Sequence, residues 1–223
     1  MLTINDAMRN RHSVRSYETK EIPNAIQKQL LERIDQSNRE SGLHIQLVTN
    51  EPKAFDGMMA HYGKFNGVTN YIALIGKKGP DLEEKCGYYG EDLVLFLQQL
   101  GLNTCWVAIS FSRIKSAYVI NPGEKLCLVI SLGYGISPGV PHKSKTIEAL
   151  SNVNGQAPEW FIHGMEAAIL APTAINQQKF KILLTGKVVS AIAGSAFYSK
   201  VDLGIVKYHF EIGAGKNNFE WKY

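Results

Sequence analysis

One local module appears twice in this chain, and a fold has to accommodate both copies. Pro23 precedes Ile45 by 22 residues, and Pro158 precedes Phe180 by 22, so the two modules are offset by 135 residues. Proline presets φ for a first helical turn and lacks the N–H that such a turn leaves unbonded, so each proline is read as opening a helix. After Pro23 the apolar residues Ile26, Leu30, Leu31 and Ile34 recur at helical spacing, and after Pro158 so do Phe161, Met165, Ala168 and Ile169. LHIQLV from Leu43 alternates as a strand does, and KFKILLTG from Lys179 is its counterpart. A second echo pairs Tyr89-Gly-Glu-Asp92-Leu with Tyr198-Ser-Lys-Val-Asp202-Leu, each opening an apolar helical run. An internal duplication accounts for these matches. The alternative is that helix and strand modules of similar length recur by chance. The second copy is shorter, with nothing to match the strand NYIALIG at Asn70.

Between the copies, EDLVLFLQQLG is apolar nearly all round and ends at Gly101, as a central buried helix does. NTCWVAI and KLCLVISLG follow as two branched, apolar runs of strand length. From Val140 to Pro158 the chain turns polar and proline-bearing, a connector with one short helix. The expected division is a first half over residues 1–150 and a shorter second half over residues 151–223, packed on the first.

Composition narrows the partners. The formal net charge of +4 on 223 residues comes from interspersed charges with no run of five alike, so nucleic acid is not required as a partner. Cys86, Cys105 and Cys127 are odd in number and irregularly spaced, which suggests neither a disulfide framework nor a thiolate metal site. The amino terminus lacks the apolar core of a signal peptide, and no stretch is long and apolar enough to span a membrane. The expectation is a soluble cytoplasmic protein that holds no metal.

Several motifs fit bland roles best. GYGISPG at Gly133 imitates a dinucleotide fingerprint, but prolines follow where the phosphate-binding helix would begin, and GAGK at Gly213 reads as a helix exit. Glu83-Glu84 and Glu91-Asp92 are read as acids near helix starts, favouring the dipole and solvent. Cys105, beside Trp106 in an apolar strand, reads as a buried inert thiol. What remains is RNRHSVRSY, where Arg11, His12, Ser13 and Arg15 gather donors suited to a phosphate, with Lys143 and Lys145 as a further cationic pair in the connector. The alternative for the cluster is a solvated basic helix end paired with carboxylates elsewhere.

RNRHSVRSYETKEIP resembles the amino-terminal signature of the FMN-dependent nitroreductases, Arg-x-Ser-x-Arg-x-Phe/Tyr with a helix-opening proline after it. GLNTCWVAI resembles that family's segment after the central helix, and LVISLGYGISPGVPHKSK its strand, Gly-Tyr turn and basic tail, in the same order. A fourth motif, an Ala-Pro-Ser-x-x-Asn-x-Gln loop, normally lies between the first two; here its likeness, APTAINQQKF from Ala171, comes near the far end. The chain is thereby identified as a member of a subgroup with an internally duplicated, pseudo-dimeric chain, whose second half imitates a partner subunit.

The resemblance implies an α+β, nitroreductase-like fold: a mainly antiparallel sheet flanked by helices, in two unequal related halves. It implies FMN as cofactor and NADH or NADPH as reductant. Electrons would pass to a nitroaromatic, quinone or flavin acceptor, with no protein acid or base needed because the flavin carries the chemistry. Arg11 and Arg15 would hold the FMN phosphate and the polar edge of the ring, Ser13 would add a hydroxyl with His12 beside it, and Lys143 and Lys145 would close on the phosphate. The loop after Trp106 would present backbone N–H near the ring, with Ala108-Ile109 in place of the family's two small residues and Ile109 narrowing the face. Pro172, Thr173 and Asn176 would complete the site within one chain, which implies a monomer, a homodimer being the alternative. Lys179-Phe180 stands where the family has Pro-Trp. Two other functions are weighed: an FMN storage or sensing protein without turnover, and a nucleic-acid contact through the basic cluster.

Overall fold

The computed structural model describes residues 2–153 and 156–222; Asn154 and Gly155, in the middle of the predicted connector, lie outside the described residues. The chain forms two compact units, one of Met1–Leu82 with Leu93–Pro141 and one of Glu83–Asp92 with His142–Tyr223.

The first unit contains α1 (Ile4–Asn10), α2 (Asn24–Ser41), β1 (Gln46–Val48), α3 (Met58–Tyr62), β2 (Asn70–Lys77), the later part of α4 (Leu82–Gln99), β3 (Asn103–Val107) and β4 (Glu124–Gly133). Its sheet has strand order β1-β2-β4-β3 with every neighbouring pair antiparallel. The two central strands read as continuous apolar runs because both faces are covered. Tyr71 through Ile75 of β2 have no exposed surface, nor do Val129 and Ile130 of β4. Leu93, Val94, Leu95 and Leu97 of α4 are equally buried, as a helix apolar all round requires.

Two expectations shorten against this structure. The strand from Leu43 reduces to Gln46–Val48, because the side-chain amide of Asn38 takes both backbone groups of Ile45: its Oδ1 accepts from Ile45 N at 2.7 Å and its Nδ2 donates to Ile45 O at 3.0 Å. NTCWVAI stops pairing at Val107, leaving Ala108 and Ile109 in a loop.

The second unit holds the start of α4, then α5 (Ile147–Leu150), α6 (Glu159–Ala168), β5 (Phe180–Thr185), β6 (Val188–Ala193), α7 (Ser199–Ala214) and β7 (Glu220–Trp221). Its sheet runs β5-β6-β7, the first pair antiparallel and the second parallel. Pro158 caps α6 with the same backbone angles, φ −55 and ψ 142, with which Pro23 caps α2. Each proline carbonyl accepts the first helical bonds, from Ile26 and Gln27 in one case and Phe161 and Ile162 in the other. β6 is a strand that the sequence reading left out; it is reached from β5 through a tight turn at Gly186, whose φ is 64.

The second echo and the pair Glu91-Asp92 are corrected, whereas Glu83 and Glu84 do stand in the first turn of α4. α4 begins at Leu82, so Tyr89 lies inside it, whereas Tyr198 is the cap of α7. Glu91 and Asp92 therefore sit mid-helix with 0% and 7% exposure, not at a solvated helix start. α4 continues through Gly87 because the glycine serves a close approach: a Cβ there would fall 2.0 Å from Val201 O of α7, and one on Gly204 of α7 would fall 2.0 Å from Glu84 O. Among the described residues no helix is long and apolar enough to cross a membrane.

Candidate active site

The basic amino-terminal segment is fixed to the edge of the first sheet. Thr3 caps α1, its Oγ1 accepting from Asp6 N, and the helix ends where Arg11 N donates to Ala7 O at 2.9 Å. Beyond it Ser13 bridges Thr104 of β3 in parallel, Val14 N donates to Thr104 O at 3.0 Å, and Ser16 bridges Asn66. Tyr17 anchors the far end. It is 4% exposed, and its hydroxyl donates to Val14 O at 2.6 Å and bonds Ser131 Oγ at 2.9 Å. Burial pushes its phenol well above the ordinary range, so it stays a neutral hydrogen-bonding peg.

Arg11, Ser13 and Arg15 fall at alternate positions of this bridged segment, the spacing that puts side chains on one face of an extended chain. All three act on the thiol of Cys105 of β3. Burial drives its thiol upward, opposed by the charge of Arg15, a hydrogen bond from Ser13 and the charge of Arg11. Arg11 is 3% exposed, so its guanidinium is a buried cation, while Arg15 is exposed with its guanidinium 5.9 Å from the Phe65 ring centroid. His12 packs against the segment beyond the Gly-Tyr turn, where a Cβ on Gly139 would lie 2.8 Å from His12 Cβ. From the end of β3, Trp106 and Ala108 are half-buried and Ile109 is 65% exposed. Seven of the expected residues, Arg11, His12, Ser13, Arg15, Trp106, Ala108 and Ile109, thus belong to the first unit. Two guanidiniums and a hydroxyl at alternate positions of one extended segment suit a phosphate or the anionic edge of a ring.

Lys143, Lys145, Pro172, Thr173 and Asn176 belong to the second unit. There the basic tail and the displaced loop are knit together by Gln178, which is 4% exposed. Its Oε1 accepts from Lys145 N at 2.7 Å, and its Nε2 donates to Lys143 O and to Asn176 Oδ1, both at 2.8 Å. Lys145 Nζ donates to the carbonyls of Gln177 and Gln178 at 3.0 Å. Asn176 Nδ2 donates to Lys143 O, and Thr173 Oγ1 accepts from Gln178 N. The side chains of Thr173 and Asn176 are therefore engaged in shaping the loop.

Gln178 and Asp202 are positioning residues that sequence reasoning did not select. Asp202, 4% exposed on α7, accepts from Ala174 N at 2.9 Å and Gln177 Nε2 at 2.7 Å. Burial raises its carboxyl, and these two hydrogen bonds hold it back. The signals were present: Asp202 stood in the second echo, and Gln178 in the displaced motif.

The first unit thus carries an arginine-bearing amino-terminal segment bridged to the edge strand of an antiparallel sheet. A family model described as "Putative TM nitroreductase" matches residues 3–214, and the chain belongs to that family. Among solved structures, a putative nitroreductase from Thermotoga maritima is 25% identical with a TM-score of 0.67, over 97% of this chain and 85% of that one. A nitroreductase-like protein from Streptococcus mutans is 16% identical with a TM-score of 0.55, over 65% of this chain and 94% of its own, and shares the fold. So does a putative nitroreductase from Desulfovibrio desulfuricans in complex with FMN, 14% identical with a TM-score of 0.52, over 71% of this chain and 99% of its own. No curated protein matches the sequence.

Proposed function

We propose that the protein is an FMN-dependent oxidoreductase that draws hydride from NADH or NADPH and delivers electrons to a nitroaromatic, quinone or flavin acceptor. The observation that carries this reading is the alternation of Arg11, Ser13 and Arg15 along a segment bridged to the edge of β3, in a chain of the nitroreductase family. That donor set fits the cofactor: guanidinium pairs bind phosphate in a fork, and a buried cation beside an electron-accepting ring favours its reduced, anionic form. Bound FMN would supply the hydride and electron chemistry, leaving the protein to bind, orient and exclude water.

In this reading Arg11 and Arg15 hold the phosphate and the polar edge of the ring, Ser13 adds its hydroxyl, and His12 lines the same segment. The backbone around Trp106, Ala108 and Ile109 faces the ring, and the exposed Ile109 limits what can stack there. The displaced loop and basic tail, with Lys143, Lys145, Pro172, Thr173 and Asn176, are carried by the same chain as the arginine segment, and on that ground the protein is proposed to be a monomer.

Purification with FMN followed by a visible spectrum tests binding, and NADH or NADPH oxidation with menadione as acceptor tests turnover. The expected result is one FMN per chain of 24.8 kDa in light scattering, with menadione reduction faster than free FMN supports. A retained flavin without acceleration would favour storage or sensing, the reading that the bulk of Ile109 supports. An absence of bound flavin would overturn both.

A further inference from the structure

One departure from the family's pattern has no part in the flavin reading: Lys179-Phe180, where the family has Pro-Trp. This pair leads into β5 at the wall of a cavity of about 340 Å³, whose lining residues all belong to the second unit. Small residues leave the room. Ala193 of β6 pairs with Phe180, Gly194 follows it, and Ala149 stands on α5.

The walls are tied together by backbone. Gly194 N donates to Lys179 O at 2.8 Å, and a Cβ on Gly194 would lie 3.0 Å from that same oxygen. The chain leaving α5 is held along β5, because Ser151 bridges Ile182 and the Asn152 amide takes both backbone groups of Leu184, at 3.0 and 2.9 Å. A cavity built this way is preformed, so a ligand does not bear the cost of ordering it.

Its lining is of two kinds. Phe180 and Leu150, 3% and 2% exposed, give an apolar wall to which Ile192 adds. Lys145, Lys179 and Lys181 give positive charge. No carboxylate lines the cavity, and none of the three lysines forms an ion pair among the described residues. An ammonium carries three donors. Lys145 commits two of them to the carbonyls of Gln177 and Gln178, Lys181 one to Ala149 O, and Lys179 none among the described residues. Carbonyl oxygens leave the net charge in place, and a concave site of one sign with apolar walls concentrates the opposite ion.

We propose that this cavity binds a small organic anion, a carboxylate or phosphate head on a compact apolar body. The head meets Lys179 and Lys181, and the body lies on Phe180 and Leu150. Such binding goes beyond the flavin reading and does not depend on it.

The test compares the full chain with Lys179→Gln and Ser195→Trp. Ser195 lines the cavity and both side chains are exposed, so an indole at 195 fills the space and neither change touches the core. Calorimetry reads the binding of 2-naphthoate, 2-naphthyl phosphate and the uncharged 2-naphthalenemethanol, and flavin fluorescence reads the Kd for FMN alongside. One or both anions should bind saturably, the tighter naming the head group, with the alcohol at least about tenfold weaker, the effect of losing a charged hydrogen bond. Lys179→Gln should weaken the anions about tenfold and leave the alcohol unchanged, whereas Ser195→Trp should weaken all of them. Absent anion binding, an alcohol that binds as tightly, or anion binding that either variant leaves unmoved would overturn the proposal. So would competition between FMN and the anions, which would make the cavity part of the cofactor site. A chain that binds the anions as expected but takes up no FMN would overturn the flavin reading alone.

Discussion

His209 Nε2 lies 2.9 Å from Glu91 Oε1, with neither side chain exposed to solvent at all. Nδ1 of the same ring is 3.1 Å from Ala167 O, an atom that can only accept, so Nδ1 donates to it while Nε2 faces the Glu91 carboxyl. One imidazole thereby links α4, α6 and α7 within the second unit.

Removing one partner of this pair should leave a buried polar group without compensation. Glu91→Ala is expected to lose about 3–5 kcal/mol of stability in urea unfolding, and Glu91→Gln, which keeps a hydrogen-bonding side chain, less than half of that. Equal losses in the two variants would mean that packing rather than the hydrogen bond matters.

Gly87 gives a prediction in which two physical effects oppose each other. Intrinsic helix propensity favours alanine over glycine by about 1 kcal/mol. A Cβ there would stand 2.0 Å from Val201 O, which forces α4 and α7 apart. Overpacking costs about 1–3 kcal/mol or more where backbone must shift, so Gly87→Ala should be destabilising by denaturant titration. A stabilised variant would contradict the close helix approach.

The His44–Glu124 contact sets an expectation for acid. Burial pushes the Glu124 carboxyl upward, but hydrogen bonds from His44 at 2.9 Å and from Asn121 N at 2.8 Å outweigh it, and the net shift is downward. A carboxyl lowered by folding contributes stability that is present above its unfolded pKa, about 4.3, and lost as pH falls through the lower folded value. Stability measured against pH should decline below about pH 4.5 in the wild type, and Glu124→Gln should flatten part of that decline.

Arg15 tests the cationic site without threatening the fold, because it is exposed whereas Arg11 is buried. Loss of a charged hydrogen bond of about 1.5–3 kcal/mol corresponds to roughly 10- to 150-fold weaker FMN binding for Arg15→Ala, with an unchanged Tm. An unaltered Kd would remove Arg15 from the phosphate-holding set.

Local rules made much of the architecture legible. The two prolines open helices with identical backbone angles, Thr3 and Thr146 cap short helices through their hydroxyls, and the apolar runs at Asn70 and Glu124 are buried strands. The errors came where a distant group intervened. Asn38 ended a strand early by capturing Ile45, and α7 made room for α4 to run through Gly87, which local propensity counts against a helix. β6 was missed because a two-residue turn around Gly186 leaves almost no break in the sequence between it and β5.

The candidate site divides in the same way. Arg11, Ser13 and Arg15 could be named as a cluster of donors without nearby acids and from their likeness to a family motif, while their alternation along an extended segment bridged to β3 is seen only in the fold. That Thr173 and Asn176 serve the loop internally, that Gln178 and Asp202 hold it, and that Lys179 lines a cavity could not be read from the sequence. Those facts depend on which hydrogen-bond partner a buried group finds, and residues far apart in the chain become candidates only when folding excludes water and brings them within reach.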